Sequence, residues 1–292
     1  MRILKPLLLL LLVWSQIARA EPLVLAQVSD RPSKDFEQLR PMVEYAAARL
    51  APLGITSGEV RLYDSAEQLA SALQAGDVDW ITETPFTAAR LMHEAGARPL
   101  LRKWKGGQHQ YQTLIYTRSD SPIRSVLDLT DRRIAFEHPE SFSSYFVPRR
   151  ILLRSGLQLT GLKDLHQPPP PGNTGYLFSR NEKNNALWVH KGLVDAGALN
   201  SGDWENRERV PVAIRRDLRI IYRSETYPRA LELVSSELDD NVVAALRELL
   251  LAMPASGASE VLASYENSTG FEPLQPGDIE LLSDIYDSSR RW

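Results

Sequence analysis

Apolar positions switch repeatedly between a two-residue and a helical period along this chain. Leu23 to Val28 is an extended, largely apolar stretch that stops at the turn-rich Ser29-Asp30-Arg31-Pro32-Ser33, as a buried strand does. Phe36, Leu39, Met42, Val43, Ala46, Ala47 and Leu50 then fall on one helical face, and Gly54 closes that helix. Glu59 to Tyr63 reads as the next strand, Ser65 as the cap of a helix over Glu67 to Gln74, and Gly76 to Ile81 as the approach to a third strand. This βαβαβ start predicts an α/β fold with mostly parallel sheets.

A second alternating block begins near Gln110. Its strands are expected at Gln112 to Tyr116, Arg133 to Phe136, Ala196 to Leu199 and Arg219 to Tyr222, and a long helix follows over Asp239 to Met253. Extended segments at Tyr116 to Pro122 and at Leu218 to Pro228 read as two crossings between blocks. The domain organisation is therefore a discontinuous first lobe, 21–117 with 224–292, and an inserted second lobe, 118–223. Two lobes joined by two crossings leave a cleft able to close on a small ligand by hinge motion.

The first twenty residues add an address. Arg2 and Lys5 precede the apolar run Leu7 to Trp14, and Ala18-Arg19-Ala20 ends it, which is the pattern of a signal peptide cleaved after Ala20. The apolar run is shorter than the roughly 20 residues a membrane span needs. The expected product is a periplasmic monomer of 272 residues with no cysteine and no disulfide framework. Removing Arg2, Lys5 and Arg19 takes the formal charge from −3 to −6, which argues against a nucleic-acid partner.

Candidate chemistry gathers at strand ends, where open α/β sheets bind ligands. The run Phe136-Glu137-His138-Pro139-Glu140-Ser141-Phe142-Ser143-Ser144-Tyr145 puts hydroxyls between a strand and a helix start, whose first amides lack internal partners and suit an oxyanion. Ser141 or Ser143 can equally be a plain helix cap. Thr84, Phe86 and Thr87 open another helix after the third strand, and Tyr111 lies near the first crossing. The five histidines show no metal-ligand spacing, and neither a Gly-x-Ser-x-Gly elbow nor a dinucleotide glycine pattern is present, so no metal, cofactor or enzymatic activity is expected. Arg207-Glu208-Arg209 and Arg215-Arg216-Asp217 read as solvated surface.

The ordered set Gly76-Asp77-Val78-Asp79-Trp80, Thr84-Pro85-Phe86, Ser119-Asp120-Ser121-Pro122-Ile123, Ile134-Ala135-Phe136, Gly192-Leu193-Val194-Asp195-Ala196-Gly197 and Leu218 to Ser224 resembles the periplasmic phosphate, phosphite and phosphonate-binding (PhnD-like) proteins of ABC transporters. The resemblance covers nearly all of the chain after the leader. It implies a type II periplasmic-binding-protein fold, a small anionic ligand held in the interlobe cleft, and delivery to an inner-membrane permease. It also implies that Ser141, Ser143, Ser144 and the following amides hold the anion, that Thr84, Thr87 and Tyr111 assist, and that Asp195 receives a cationic ligand group. Two departures stand out. Phe142 and Ser144 interrupt the family's Asp-Pro-x-Ser-Thr-Ser-Gly-Tyr turn, which leaves Phe142 to cap the pocket or displace a ligand group. Glu182 stands where a histidine is expected, so either it points away, or the ligand carries a cation, or the ligand is of another kind. The altered turn also suits an alternative role, a ligand sensor that regulates a membrane receptor or signalling enzyme.

Overall fold

The computed structural model describes residues 21–291, so the leader expected at 1–20 lies outside the described residues. In the first lobe, β1 (Glu21–Val28), β2 (Ile55–Tyr63) and β3 (Trp80–Glu83) alternate with α1 (Pro32–Leu50), α2 (Ala66–Gln74) and α3 (Pro85–Ala95), and β4 (Arg98–Lys103) follows. The predicted helical face of α1 is buried from Leu39 to Leu50, but Phe36 in its first turn is 44% exposed. Ser65 caps α2 as expected, its side chain accepting from the Gln68 amide at 3.3 Å.

The chain then builds a second sheet. Its strands are β5 (Gln110–Arg118), β6 (Arg133–Phe136), β7 (Gln158–Gly161), β8 (Asn173–Phe178), β9 (Ala196–Asn200) and β10 (Leu218–Pro228). α4 (Val147–Arg154), α5 (Glu182–His190), α6 (Ser201–Glu205) and α7 (Val212–Arg216) lie between them. After β10 the chain re-enters the first sheet as β11 (Ala230–Val234), continues through α8 (Asp240–Ala252) and α9 (Ser259–Ser264), adds β12 (Phe271–Pro273) and ends on α10 (Asp278–Ser289). No described helix is long and apolar enough to cross a membrane.

The sheet orders are β12-β4-β11-β3-β1-β2 and β10-β5-β9-β6-β8-β7. Both sheets are mixed. The parallel sets are β2-β1-β3 in one sheet and β9-β6-β8-β7 in the other, joined by helical crossovers except for the loop between β7 and β8, while β11 and β10 return antiparallel to their neighbours. β5 and β10 are hydrogen-bonded from Leu218 opposite Arg118 to Pro228 opposite Gln110. The segments read as crossings are thus a paired ribbon of the second sheet, and the chain changes sheets further out, at Trp104–His109 and at Arg229. There the two passages are tied by a hydrogen bond from the Arg229 amide to the His109 carbonyl at 3.0 Å.

Alternate residues of β5 and β6 face opposite cores: Leu114 and Ala135 one way, Ile115 and Ile134 the other. One further cluster belongs to both lobes. Ala26, Ile81, Ala88 and Leu231 of the first lobe pack with Tyr111, Phe142, Phe146, Val147 and Tyr227 of the second, an apolar seam beside the crossings.

Candidate functional site

The second-lobe wall of the cleft grows from the end of β6. Glu137 to Ser141 turn the chain into a π-helical turn, Phe142–Phe146, that runs straight into α4. Ser141 Oγ accepts from the Ser144 amide at 3.2 Å and donates to Glu137 Oε2 at 2.9 Å, so it is a cap whose proton is committed to a neighbouring carboxyl. Ser144 is 1% exposed: its hydroxyl donates to the Ala198 carbonyl and accepts from the Glu137 amide at 3.1 Å and from Asn185 Nδ2 at 3.0 Å. It locks the turn onto β9 and does not line the cleft. Ser143 does line it, its carbonyl fixed by Thr113 Oγ1 at 3.0 Å.

Phe142 has a packing role that local sequence hides. It meets Tyr227 edge-on at 5.1 Å and Tyr111 edge-on at 6.3 Å, and stacks on Phe146 at 5.6 Å, which in turn stacks on Phe86 at 4.6 Å. The ring touches the cavity wall while remaining 1% exposed, so it is first a plug of the interlobe seam. Phe86 belongs to the same stack and lies outside the cavities.

On the first-lobe wall Thr84 holds the N-cap position of α3 without capping it, and its buried Oγ1 has no hydrogen-bond partner. Thr87, 1% exposed, lines the deeper part of the cleft on this side. Tyr111 lines the wall opposite, 2% exposed, with its phenol pushed far up by burial. Asp195 is elsewhere. It precedes β9, its carboxylate accepts from the Arg133 amide at 2.9 Å, and the cleft lies past the other end of that strand, at Asn200. The expected acid for a cationic group is therefore removed from the cleft by the length of a strand.

Charged side chains, not hydroxyls, dominate what remains. A cavity of about 160 Å³ is lined by Arg31, Lys105, Arg209 and Arg229 and by the carboxyls of Glu137, Glu140, Glu182 and Asp203. Arg209, read from sequence as surface, donates to Glu182 Oε2 at 3.1 Å. Glu182 does face the cleft, and although burial opposes its charge, Arg209 holds it below the usual carboxylate range. Glu137 is the opposite case. Burial, with the adjacent Glu182 charge, holds it well above that range and so favours its protonated form. Arg209 is paired with Glu182, Lys105 with Glu266 and Arg31 with Asp30, which leaves Arg229 as the cation of this wall without an ion pair among the described residues. Burial also keeps His138 below its ordinary value and hence neutral.

Arg229 is the most informative member. It sits at the passage between sheets with its guanidinium 5.2 Å from the Tyr111 ring centre, and its buried Nε has no hydrogen-bond partner. Among the described residues no carboxylate pairs with it. An arginine fixed by stacking and left without an anion is half of an anion-binding contact. The only sequence signal for it was its place directly after the apolar end of β10.

Residues 26–279 match the model of the family described as ABC transporter, phosphonate, periplasmic substrate-binding protein. The chain belongs to this family. The protein XAC2383 from Xanthomonas citri, solved bound to chloride ion and bound to ATP, is 35% identical; the two structures cover 93% of this chain and 98% of their own, with TM-scores of 0.87 and 0.86. PhnD1 from Prochlorococcus marinus in complex with methylphosphonate is 14% identical over 94% of this chain and 99% of its own, with a TM-score of 0.67, and shows the shared fold. The type II binding-protein fold and the periplasmic solute-binding class of this family member thus agree with what the ordered motifs imply.

Proposed function

We propose that this family member captures a phosphorus oxyanion between its lobes, using the cationic groups of Arg229, Arg209, Lys105 and Arg31 in place of the family's hydroxyl-rich turn. The single observation that carries this reading is Arg229 on the cleft wall, which forms no ion pair among the described residues and whose buried Nε lacks a hydrogen-bond partner. The Xanthomonas citri relative bound to ATP and the Prochlorococcus marinus protein bound to methylphosphonate support phosphate esters and phosphonates as the ligand class. Closure swings the lobes about the linked passages at His109 and Arg229. The protein acts as a monomer that hands its ligand to a transporter permease and does not transform it. Ser141, the cleft hydroxyl hydrogen-bonded to a carboxyl, also caps the turn by accepting from the Ser144 amide, which fits a structural role.

Arg229→Gln provides a direct test because it breaks no ion pair, although Asp203 loses a nearby positive charge. Titration calorimetry of residues 21–292 with inorganic phosphate, methylphosphonate and ATP should show binding of at least one of them by the parent protein. The substitution should weaken it by about 10- to 100-fold, the range expected for hydrogen bonds to a charged group. Equal affinity of parent and variant, or no binding of any phosphorus anion, would overturn the assignment.

A further inference from the structure

A second cavity, of about 340 Å³, opens from the anion cavity along the ends of β1 and β3 and shares Arg31, Thr84, Lys105, His138 and Glu140 with it. The two differ in chemistry. The smaller one adds Arg209 and Arg229; the larger one adds, on the first-lobe side, a set of acceptors. Three of its oxygens are buried and lack any hydrogen bond: Gln27 Oε1, Thr84 Oγ1 and Glu140 Oε2. Gln27 is 7% exposed, and its amide nitrogen already donates to Glu266 Oε1 at 3.3 Å, which fixes its oxygen as the free end. Glu140 Oε2 has only a 3.9 Å approach from Arg90.

Unmet acceptors in a buried wall carry a desolvation cost that native structures rarely leave standing. A bare oxyanion relieves it poorly, because hydrogen phosphate carries a single donor for three separate oxygens and its charge is repelled by the Glu140 carboxylate. The volume is also wrong for one, since about 300–1,000 Å³ is the range of pockets that enclose small organic molecules.

We infer that this pocket is a second subsite, built for the organic part of a phosphate ester whose hydroxyl or amino groups donate to Gln27, Thr84 and Glu140 while the phosphate rests among the arginines. The inference builds on the oxyanion reading and narrows it to donor-bearing phosphate esters, the chemistry shared by amino-sugar phosphates and nucleotides. Thr84 fits this role because its hydroxyl caps nothing and is free to be used by a ligand.

Calorimetry with four probes separates the possibilities: inorganic phosphate, phenyl phosphate, glucosamine 6-phosphate and adenosine monophosphate. Glucosamine 6-phosphate or adenosine monophosphate should bind at least about tenfold tighter than phosphate and phenyl phosphate, and which of the two leads distinguishes sugar from nucleoside. Gln27→Leu should remove about tenfold from the preferred ester and leave phosphate affinity within about twofold. Thr84→Val should weaken the same ester without lowering the unfolding temperature of the empty protein, which guards against a folding defect in the first variant. Equal affinity for all four probes, or a Gln27→Leu loss as large for phosphate as for the ester, would overturn the subsite and leave the oxyanion reading intact. Failure of every phosphorus compound to bind would overturn both.

Discussion

The two walls of the cleft handle buried charge in opposite ways. Behind the first-lobe wall, Lys103 is fully buried, with its ammonium 2.6 Å from Glu266 and 3.7 Å from Glu232. Glu232 in turn accepts from Trp80 Nε1 at 2.5 Å, Thr82 Oγ1 at 3.0 Å and the Tyr265 hydroxyl at 3.1 Å. Burial still lifts Glu232 to about 7, while Lys103 and Lys105, both ion-paired to Glu266, overcome burial there and hold it far below the usual range. On the second-lobe wall Glu137, Glu182 and Asp203 crowd together, and burial followed by Glu182's charge raises Asp203 as well. Their cations, Arg209 and Arg229, hold one carboxylate between them. A network closed on itself holds shape; one left open at a cleft is completed by something that enters.

The sharpest way to break this contrast is at Lys103. Lys103→Met leaves Glu266 and Glu232 without their buried cation, and the expected loss of stability in urea unfolding is about 3–5 kcal/mol. Affinity of the folded variant for its anion should stay within about twofold. A variant as stable as the parent but deficient in binding would put the first-lobe network in the site. Phe142→Ala should rank next, near the lower end of the cost of removing a core phenylalanine, about 3 kcal/mol. The ring packs in the seam between Tyr227, Tyr111 and Phe146, yet one edge meets the cavity, where water can occupy part of the space. Unfolding with no change in midpoint would show that Phe142 serves the ligand alone.

Phe142 also marks where sequence reading stops. The β–α alternation of the first lobe, the apolar face of α1, the Ser65 cap and the strand Arg133–Phe136 were legible because each is set by neighbours a few residues away. Apart from Phe146 in the same turn, the partners of Phe142 come from β5 and β10, so local sequence gives no hint of them. Arg209 failed for a related reason: an Arg-Glu-Arg run has the same local pattern whether solvated or folded over a carboxylate on another helix. Asp195 was placed by resemblance, and the direction of β9 decided against it. The return strands β11 and β12, five and three residues long, carry too little periodicity to be seen before their pairing is known.

Glu137 gives the finest test of the open network, through pH. A carboxyl whose folded value lies above its unfolded one binds its proton more tightly in the native state. Its contribution to stability is therefore complete below the ordinary carboxylate range and is lost as pH rises through the folded value. The same ionisation adds a negative charge to the wall that receives the anion, so binding should weaken over that window. At roughly 10 Å and an effective dielectric of 20 the added repulsion is about 1.7 kcal/mol, and solvent screening brings the expected change to about tenfold or less. Glu137→Gln keeps the shape of the protonated acid and removes the titration. Affinity below the pH at which Glu137 ionises should match the parent within about threefold, and the decline through that ionisation should flatten to that of the ligand's own, which both proteins share. Identical pH profiles would mean that Glu137 stays protonated throughout, and that Glu182 and Asp203 alone set the charge against which the arginines act.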